Sequence, residues 1–395
     1  MRSIELFAGA GGLALGASRV GFKHDAVIEI DRHSCENIRH NQNSGLDLVQ
    51  GWNLFETDVR SIKFEKWLGQ IDLIAGGPPC QPFSIGGKHR GSTDDRNMFP
   101  YAVRAVREVR PKAFVFENVK GLLRESFSTY FHYIYLQLQY PSIQPRDGEQ
   151  WIQHLDRLEK KHTRGGSGTP EYRVAYRLVN AANFGVPQRR ERVFIVGFRD
   201  DIQIPWSFPE GSHTREALLA DKWGTGDYWE RHRVSRREVH AVRKQTSKLE
   251  IQHSAPQLIA ARPWRTVRDA LDGLGEPART PNEVVIPNHL LQEGARSYAG
   301  HTGSPLDEPA KTLKAGDHGV PGGENMLRNP DGSVRYFTVR ESARLQTFPD
   351  RYHFQGSWTE NMRQLGNAVP VELAEHVIGS VRTALETHVE SRRNG

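Results

Sequence analysis

The chain has 395 residues, with 53 Lys plus Arg against 47 Asp plus Glu, and its formal net charge of +6 only hints at a polyanionic partner. The length suggests two or three domains, the 37% hydrophobic content excludes wholesale disorder, and two cysteines exclude a disulfide framework and a four-thiolate metal site. No apolar run reaches the roughly 18 to 20 residues of a membrane-spanning helix and no signal-peptide pattern is present, so we expect a cytoplasmic protein with no membrane contact and no metal site.

From Ser3 onward, the sequence repeats a short apolar run, a turn of small residues and an amphipathic stretch. This is the pattern of βα units. It predicts a helix near residues 13–20 and strands at residues 4–7, 26–30, 71–75, 113–116, 177–180 and 193–198. Because the strands are largely apolar, we expect an α/β fold with a parallel sheet and helices on both faces.

Composition divides the chain further. We predict a first domain over residues 1–199 with an insertion at about residues 125–169, where a tyrosine-rich stretch leads to a mobile loop at residues 164–168. Residues 200–335 have few long apolar runs and form a second, smaller and irregular domain. Residues 336–395 resume a helical pattern, with helices at 340–346 and 371–387 that return to the first domain.

A candidate nucleotide site follows the first strand. Gly9, Gly11 and Ala14 fit the loose pattern G-x-G-x-x-G/A, in which glycines let backbone amides approach a ligand at a helix N-terminus. Glu29 ends the next strand at a spacing that suits a carboxylate on a ribose, and Asp58 ends a third βα unit, where it can accept from an adenine amino group. The pattern fits an adenosine-containing cofactor but does not separate a dinucleotide from S-adenosylmethionine. Otherwise both acids are solvated loop carboxylates.

A candidate nucleophile lies just past the fourth predicted unit. Cys80 follows Pro78 and Pro79, which restrict the backbone, so the loop holds one side chain at little entropic cost. A thiolate is the reactive form of cysteine. The alternative is a small apolar residue at the sheet edge. Cys35 lies in a predicted helix, and we expect a buried, inert thiol there.

Acidic and basic residues are expected at the same edge. Glu117 ends a strand at the carboxyl edge, where open α/β sheets bind ligands. Arg189, Arg190 and Arg192 precede the last predicted strand. With Cys80, they would form a covalent site with an acid and an anion clamp, whereas an isolated arginine cluster is more often a solvated surface.

These residues closely resemble the cytosine-C5 DNA methyltransferase family of the bacterial restriction-modification type. Six blocks match in order: FAGAGG at residues 7–12, Glu29, GPPCQ at 77–81, ENV at 117–119, QRRER at 188–192 and QLGNAV at 364–369. The resemblance implies a Rossmann-like S-adenosylmethionine-dependent methyltransferase sheet in a catalytic and cofactor-binding domain. It also implies that residues 200–335 form a target-recognition domain.

The resemblance implies covalent chemistry on a cytosine swung out of the DNA helix. Cys80 would attack C6, Glu117 would offset charge on the ring, and Arg192 would position Glu117 and the base. Arg190 would hold a phosphate or the flipped nucleotide. Gln81 and Asn118 complete the expected catalytic set.

The resemblance also implies a set of residues around S-adenosylmethionine. Two departures from the family are visible: Ala368 stands where a serine is common and removes a hydroxyl, and Ile30 replaces a common aromatic, so an aliphatic face would stack on the adenine. The expected cofactor-binding residues are Phe7, Gly9, Ala10, Gly11, Gly12, Glu29, Ile30, Asp58, Val59, Pro78, Asn367 and Ala368.

DNA contacts are expected in the second domain. Residues 231–248 hold seven Lys or Arg and one acid, an excess as large as the net charge of the chain. Such a stretch neutralises phosphates, although a solvated charged helix is the alternative. The predicted contacts are Arg231, Arg233, Arg236 and Arg237 and, by resemblance, the Thr-Leu pair Thr312 and Leu313; Arg296, His301 and Lys314 are candidates for base edges.

We therefore predict a monomeric enzyme that methylates a specific double-stranded DNA sequence and protects it from a separate cognate restriction endonuclease. A tRNA cytosine-C5 methyltransferase is one alternative, but the long segment 200–326 argues against it. A non-catalytic DNA-binding regulator is another, and the intact set of Cys80, Glu117 and Arg192 argues against that. A dehydrogenase would leave Cys80 and the block around Asn367 without a role.

Overall fold

A mixed seven-stranded sheet forms the centre of the computed structural model, which describes residues 1–79, 97–163, 171–247, 260–316 and 323–394. The elements of this part are β1 (Arg2–Leu6), α1 (Gly12–Arg19), β2 (Lys23–Glu29), α2 (Arg32–Asn43), α3 (Asp47–Gln50), β3 (Leu54–Glu56), β4 (Leu73–Gly76), α4 (Phe99–Val109), β5 (Ala113–Val119), α5 (Ser128–Gln139), α6 (Trp151–Thr163), β6 (Tyr172–Asn180) and β7 (Glu191–Arg199). All six predicted strands are present, and the predicted α/β fold is confirmed.

The strand order is β3-β2-β1-β4-β5-β7-β6. Strands β1 to β5 are parallel, but β7 is antiparallel to both β5 and β6. The expectation of an entirely parallel sheet is therefore wrong at this end. Only residues 181–190 connect β6 to β7, which is too short for the crossover that a parallel pair needs. After β3, the chain forms a 3-10 turn at Val59–Ser61.

The rest of the chain is made of short elements followed by three helices. These are β8 (His213–Thr214), α7 (Arg215–Leu219), α8 (Asp227–Arg231), α9 (Arg236–Gln245), β9 (Arg262–Pro263), α10 (Val267–Leu271), β10 (Ser304–Pro305), β11 (Met326–Arg328), β12 (Val334–Tyr336), α11 (Val339–Leu345), α12 (Trp358–Asn367) and α13 (Val371–Asn394). Helices α11 and α13 were predicted and α12 was not. Within the described ranges, no helix is long and apolar enough to cross a membrane.

The two faces of the sheet carry separate cores, because successive side chains of a strand point to opposite faces. Phe114 and Phe116 of β5 pack into a core that also contains residues of α4 and α5. Ala113 and Val115 pack into another, which contains residues of α1 and α13. The C-terminal helix thus packs together with α1 against one face of the sheet.

The segment predicted as an insertion contributes to the first of these cores. Tyr130 and Tyr133 of α5 are buried there, as are Leu155 and Leu158 of α6. Helix α5 is therefore one of the layers that cover the sheet. The mobile loop predicted at residues 164–168 lies outside the described residues.

Close contacts join α1 to residues near the C-terminus of the chain. A Cβ added to Gly12 would lie 2.1 Å from the carbonyl oxygen of Val369, and one added to Gly16 would lie 2.5 Å from the Cβ of Ala374. Neither glycine has a positive φ, so it is contact and not backbone conformation that requires them. Residues 366–369 can approach the glycine turn only because these side chains are absent.

We predict that Gly12→Ala destabilises the fold by about 2 kcal/mol, because overpacking forces well-packed backbone apart. The free energy of unfolding in urea measures the effect. The matched control is Gly51→Ala, where an added Cβ meets nothing within 4 Å, and we expect it to stay within about 0.5 kcal/mol of the wild type. Equal effects of the two substitutions would show that the contact with Val369 is unimportant.

Candidate functional site

A cavity of about 900 Å³ lies at the carboxyl ends of the parallel strands, where ligands bind in open α/β sheets. It brings together residues from the N-terminal half and from the end of α12. The predicted site residues that line it are Phe7, Gly9, Gly12, Glu29, Ile30, Asp58, Val59, Pro78, Glu117, Asn118, Arg192, Asn367 and Ala368. The expected cofactor and catalytic residues therefore share one continuous space.

The turn after β1 begins the cavity. Phe7 and Gly9 both have positive φ values, 57° and 54°, and Gly11 has a φ of 86°. Ala10 and Gly11 do not line the cavity. Ala10 is buried and its carbonyl accepts from the hydroxyl of Tyr352 at 2.9 Å. These two residues shape the turn, and their expected role in cofactor binding stays a prediction.

The carboxylate of Glu29 is held by three backbone amides. Oε2 accepts from Gly9 N at 2.6 Å, and Oε1 accepts from the amides of Ile30 and Asp31 at 2.8 and 2.7 Å. Burial raises the pKa of Glu29, and the amide donors oppose that effect. A carboxylate has about four acceptor positions, so this one is fixed in orientation and retains capacity for a ligand hydroxyl.

Ile30 and Asp58 stand on the same rim. Ile30 is 64% exposed although it is a large apolar residue, which leaves an aliphatic face open toward the cavity. Asp58 is already engaged: Oδ1 accepts from Arg60 N and Oδ2 from Arg60 Nε, both at 2.8 Å. The Arg60 side chain lowers the pKa of Asp58. An adenine amino group would have to share this carboxylate with Arg60.

Residues on the α12 side of the cavity were not predicted from the sequence. Arg363 lines it and pairs with Asp31 at 2.8 Å, which joins the end of β2 to α12. Gln364 accepts from Asn37 Nδ2 at 2.9 Å, a second tie between α2 and α12. The only signal for Arg363 was its place directly before the QLGNAV block.

An acid and an arginine face the cavity from neighbouring strands. Oε1 of Glu117 and Nε of Arg192 are 2.8 Å apart, and both side chains are nearly buried. Because Glu117 lies opposite Phe194 and Arg192 opposite Val119 in the antiparallel register, the two side chains are diagonal neighbours on one face. Burial raises the pKa of Glu117, whereas Arg192 and Arg190 oppose the shift.

The start of the nucleophile loop is fixed beside this pair. Asn118 Nδ2 donates to the carbonyl of Pro78 at 2.9 Å, and Met98 N donates to that of Pro79 at 3.1 Å. Cys80 and Gln81 lie outside the described residues, so their expected roles stay predictions. Asn118 acts on the loop backbone.

The second cysteine lies apart from this loop. Cys35 is buried, and burial raises the pKa of its thiol to about 12. This agrees with the expectation of an inert thiol.

Arg190 does not lie where a contact with a phosphate or a nucleotide was predicted. Its side chain is 0% exposed and does not line the cavity. Nη1 donates to the carbonyl of Leu313 at 3.0 Å and Nη2 to that of Gly366 at 2.7 Å. The predicted contact with a phosphate or a flipped nucleotide is therefore wrong, because protein surrounds the guanidinium. The neighbouring Arg189 is exposed.

The Thr-Leu pair packs against the residues that lead into β7. Leu313 is 1% exposed and its amide donates to Oε1 of Gln188 at 2.9 Å. The hydroxyl of Thr312 donates to the carbonyl of Arg189 at 2.7 Å. The expectation that the side chain of Leu313 contacts DNA is wrong, since that side chain belongs to the hydrophobic cluster of the second part of the chain.

The basic stretch separates into two groups. Arg233, Arg236 and Arg243 line one groove together with His240. Arg231 is paired with Asp221 at 2.8 Å, and Arg237 is exposed outside the groove.

The candidates for base edges differ in their surroundings. Nζ of Lys314 pairs with Glu324 at 2.9 Å, and Nδ1 of His301 lies 3.5 Å from the same carboxylate. Arg296 is exposed. Lys248 lies outside the described residues.

Comparison with known families identifies the class of protein. The model of the C-5 cytosine-specific DNA methylase family matches residues 1–140 and 165–383, and the chain belongs to this family. It is a DNA cytosine-C5 methyltransferase that uses S-adenosylmethionine. The gap in the match, residues 141–164, contains α6 but not α5.

Individual relatives agree. The chain is similar to the type II methyltransferase M.PspPI of Psychrobacter sp. (strain TA137), with 32% identity over 94% of this chain and 76% of the relative. It is 31% identical to M.NgoMIV of Neisseria gonorrhoeae over 97% of this chain and 98% of the relative. Among solved structures, the Dnmt2 methyltransferase of S. pombe has the same fold, with a TM-score of 0.55 at 17% identity, covering 98% of this chain and 99% of that one.

The cavity also contains an acid that the sequence analysis did not single out. Glu5 of β1 lines it and is almost fully buried. Its Oε2 has no hydrogen-bond partner among the described residues. Burial raises the pKa of Glu5 well above its ordinary value of 4.5. At a pH between the two pKa values, the folded chain thus keeps a proton on Glu5 that the unfolded chain releases.

We predict that Glu5→Gln stabilises the protein more at pH 8 than at pH 5. A group with a raised folded pKa loses its stabilising contribution as pH rises, and the neutral amide removes that loss. One unit of pKa shift is worth about 1.4 kcal/mol, so we expect a difference of at least about 1 kcal/mol between the two pH values. Urea unfolding measures it. The exposed Glu125→Gln is the control, and a pH-independent effect of Glu5→Gln would contradict the prediction.

Proposed function

We propose that the chain methylates C5 of one cytosine in a specific double-stranded DNA sequence through a covalent bond between Cys80 and C6. The observation that carries this proposal is the Glu117–Arg192 pair. It lies beside the fixed start of the Cys80 loop and opens into the same cavity as Glu29. One space thus offers an acid for a pyrimidine ring and a carboxylate for a nucleoside.

The cavity fits S-adenosylmethionine. The glycine turn allows close backbone approach, Glu29 retains acceptor capacity for a ribose hydroxyl, and Ile30 offers an apolar face for an adenine. Asn367 and Ala368 line the cavity from the C-terminal block. When bound, the cofactor supplies an electrophilic methyl group.

Residues of this chain prepare the cytosine ring to accept the methyl group. The target base must leave the stack, since its ring atoms cannot be reached within it. The Cys80 thiolate forms a bond to C6, and electron density moves into the ring toward N3. Glu117, whose pKa burial raises, would share a proton with N3, and Arg192 orients it. The C5 atom, made nucleophilic in this way, would accept the methyl group. A base then removes the C5 proton, and the electrons of that C–H bond restore the double bond between C5 and C6 as the bond from C6 to sulfur breaks and the Cys80 thiolate leaves. Covalent catalysis thus divides one difficult step into easier ones.

The phosphate contact moves from Arg190 to Arg189. Arg189 is exposed, while its backbone is held by Ala310 and Thr312. A fixed backbone with an exposed guanidinium suits a phosphate. The groove with Arg233, Arg236 and Arg243 supplies further positive charge for the DNA backbone.

The relatives support a proposal for the biological setting. Curated proteins that align over nearly the whole chain are type II methyltransferases. We infer that the chain acts in the cytoplasm as a monomer and protects host DNA from a separate cognate endonuclease.

We predict that Cys80→Ser lowers methyl transfer by at least about 1,000-fold, because a hydroxyl is a far weaker nucleophile than a thiolate. Binding of S-adenosylhomocysteine should stay within about 2-fold, since the Cys80 loop starts beside the acid pair and not beside Glu29. Transfer of a labelled methyl group and calorimetry measure the two quantities. Cys35→Ser is the control and should keep activity. Normal turnover by Cys80→Ser would contradict the mechanism.

We also predict that bisulfite sequencing of host DNA, with and without this gene, reveals one recognition sequence that is methylated only when the gene is present. The same experiment gives the target and the methylated position. Identical methylation patterns in both strains would contradict sequence-specific DNA methylation by this chain.

A further inference from the structure

We propose that Arg190 is a positioning residue that couples binding of target DNA to binding of the cofactor. The inference rests on the proposed function and on the resemblance of Thr312 and Leu313 to the family's target-recognition pair, which implies that residues 309–315, hereafter the recognition segment, respond to bound DNA. Arg190 joins this segment to the block that lines the cofactor side of the cavity. Its two carbonyl acceptors belong to Leu313 in the recognition segment and to Gly366, which directly precedes Asn367.

The two segments are also in direct backbone contact. A Cβ added to Gly366 would lie 2.2 Å from Ala315 N and 2.3 Å from the carbonyl carbon of Lys314. No side chain separates them. A displacement of the recognition segment toward α12 must therefore move Gly366, and with it Asn367 and Ala368.

A second set of contacts holds the recognition segment in register. Ala310 N donates to Pro187 O at 2.9 Å, and Arg189 N donates to Ala310 O at 2.8 Å. Gln188 accepts from Leu313 N at 2.9 Å and donates to Leu345 O at 3.2 Å. The recognition segment is thus fixed to the same residues that lead through Arg192 to Glu117.

Because Arg190 is charged and buried, its energy depends on the positions of its two carbonyl acceptors. The guanidinium is fully buried, its Nε has no partner among the described residues, and the attraction of Glu117 opposes the repulsion of Arg192. Removing a partner from a buried charge is strongly destabilising. A shift of Leu313 that withdrew its carbonyl would leave Arg190 less satisfied, so the positions of the two segments are energetically linked.

Coupling between two sites is reciprocal and is typically worth 5- to 150-fold in affinity, so about 5-fold is a reasonable lower bound here. DNA that repositions the recognition segment should change cofactor affinity through Gly366 and Asn367. By the same factor, the cofactor should change affinity for DNA. The two carbonyl contacts of Arg190 transmit the effect, and the bond between Gln188 and Leu313 holds Leu313 in place for one of them.

The test measures the dissociation constant of S-adenosylhomocysteine with and without a duplex that carries the mapped target. For the wild type, we expect the two values to differ by at least about 5-fold. Arg190→Lys keeps the charge, but a lysine has no planar fork to reach two carbonyls. For this variant, the ratio of the dissociation constants with and without DNA should therefore approach one. Its affinity without DNA should stay within about 3-fold of the wild type.

Arg340→Lys is the matched control. Arg340 is also fully buried and donates to backbone carbonyls, those of Pro287 and Tyr352, but it does not line the cavity. It should lose comparable stability and keep the wild-type ratio. If Arg190→Lys fails to fold, Gln188→Leu removes the tie between Leu313 and Leu345, and its ratio should fall as well.

The inference is overturned by a wild-type ratio of one, by an unchanged ratio in the folded Arg190 or Gln188 variant, or by an equal loss in Arg340→Lys. Failure of the proposed function is distinguishable from these results, because the wild type would then neither bind nor methylate the duplex.

Discussion

The return of residues 366–369 against the N-terminal turn is the contact on which the site depends. Val369 approaches Gly12 so closely that no side chain fits between them, and Gly366 approaches Ala315 in the same way. These contacts bring residues 363–369 to a cavity whose other lining residues come from the first half of the chain. The site is therefore a product of tertiary packing across more than 300 residues, and each of its parts is held by backbone that cannot easily move.

Within that frame, polar groups are fixed before any ligand binds. Three amides hold Glu29, Arg192 holds Glu117, and Asn118 holds the loop that leads to Cys80. Burial raises the pKa values of both glutamates. A preorganised, partly desolvated site needs little rearrangement during the reaction, and such preorganisation is a major source of catalytic power.

Much of this could be predicted from local signals. A strand that ends in small residues, or a carboxyl directly after an apolar run, predicts Glu29 and Glu117 without any knowledge of the partner strands. By contrast, nothing local distinguishes the buried Arg190 from the exposed Arg189, because their burial is set by Leu313 and Gly366, which are distant in sequence. The antiparallel β7 and the buried Glu5 likewise depend on contacts that periodicity does not encode.

The central claim is that Cys80 forms a covalent bond to C6 of the target cytosine beside Glu117. A duplex with 5-fluorocytosine at the methylated position tests it most directly, since the fluorine at C5 cannot leave as a proton does and the enzyme stays attached. With S-adenosylmethionine present, we expect a stable complex in which mass spectrometry places the nucleotide on the peptide that contains Cys80. Attachment at another residue, or no attachment by an enzyme that methylates the normal duplex, would contradict it.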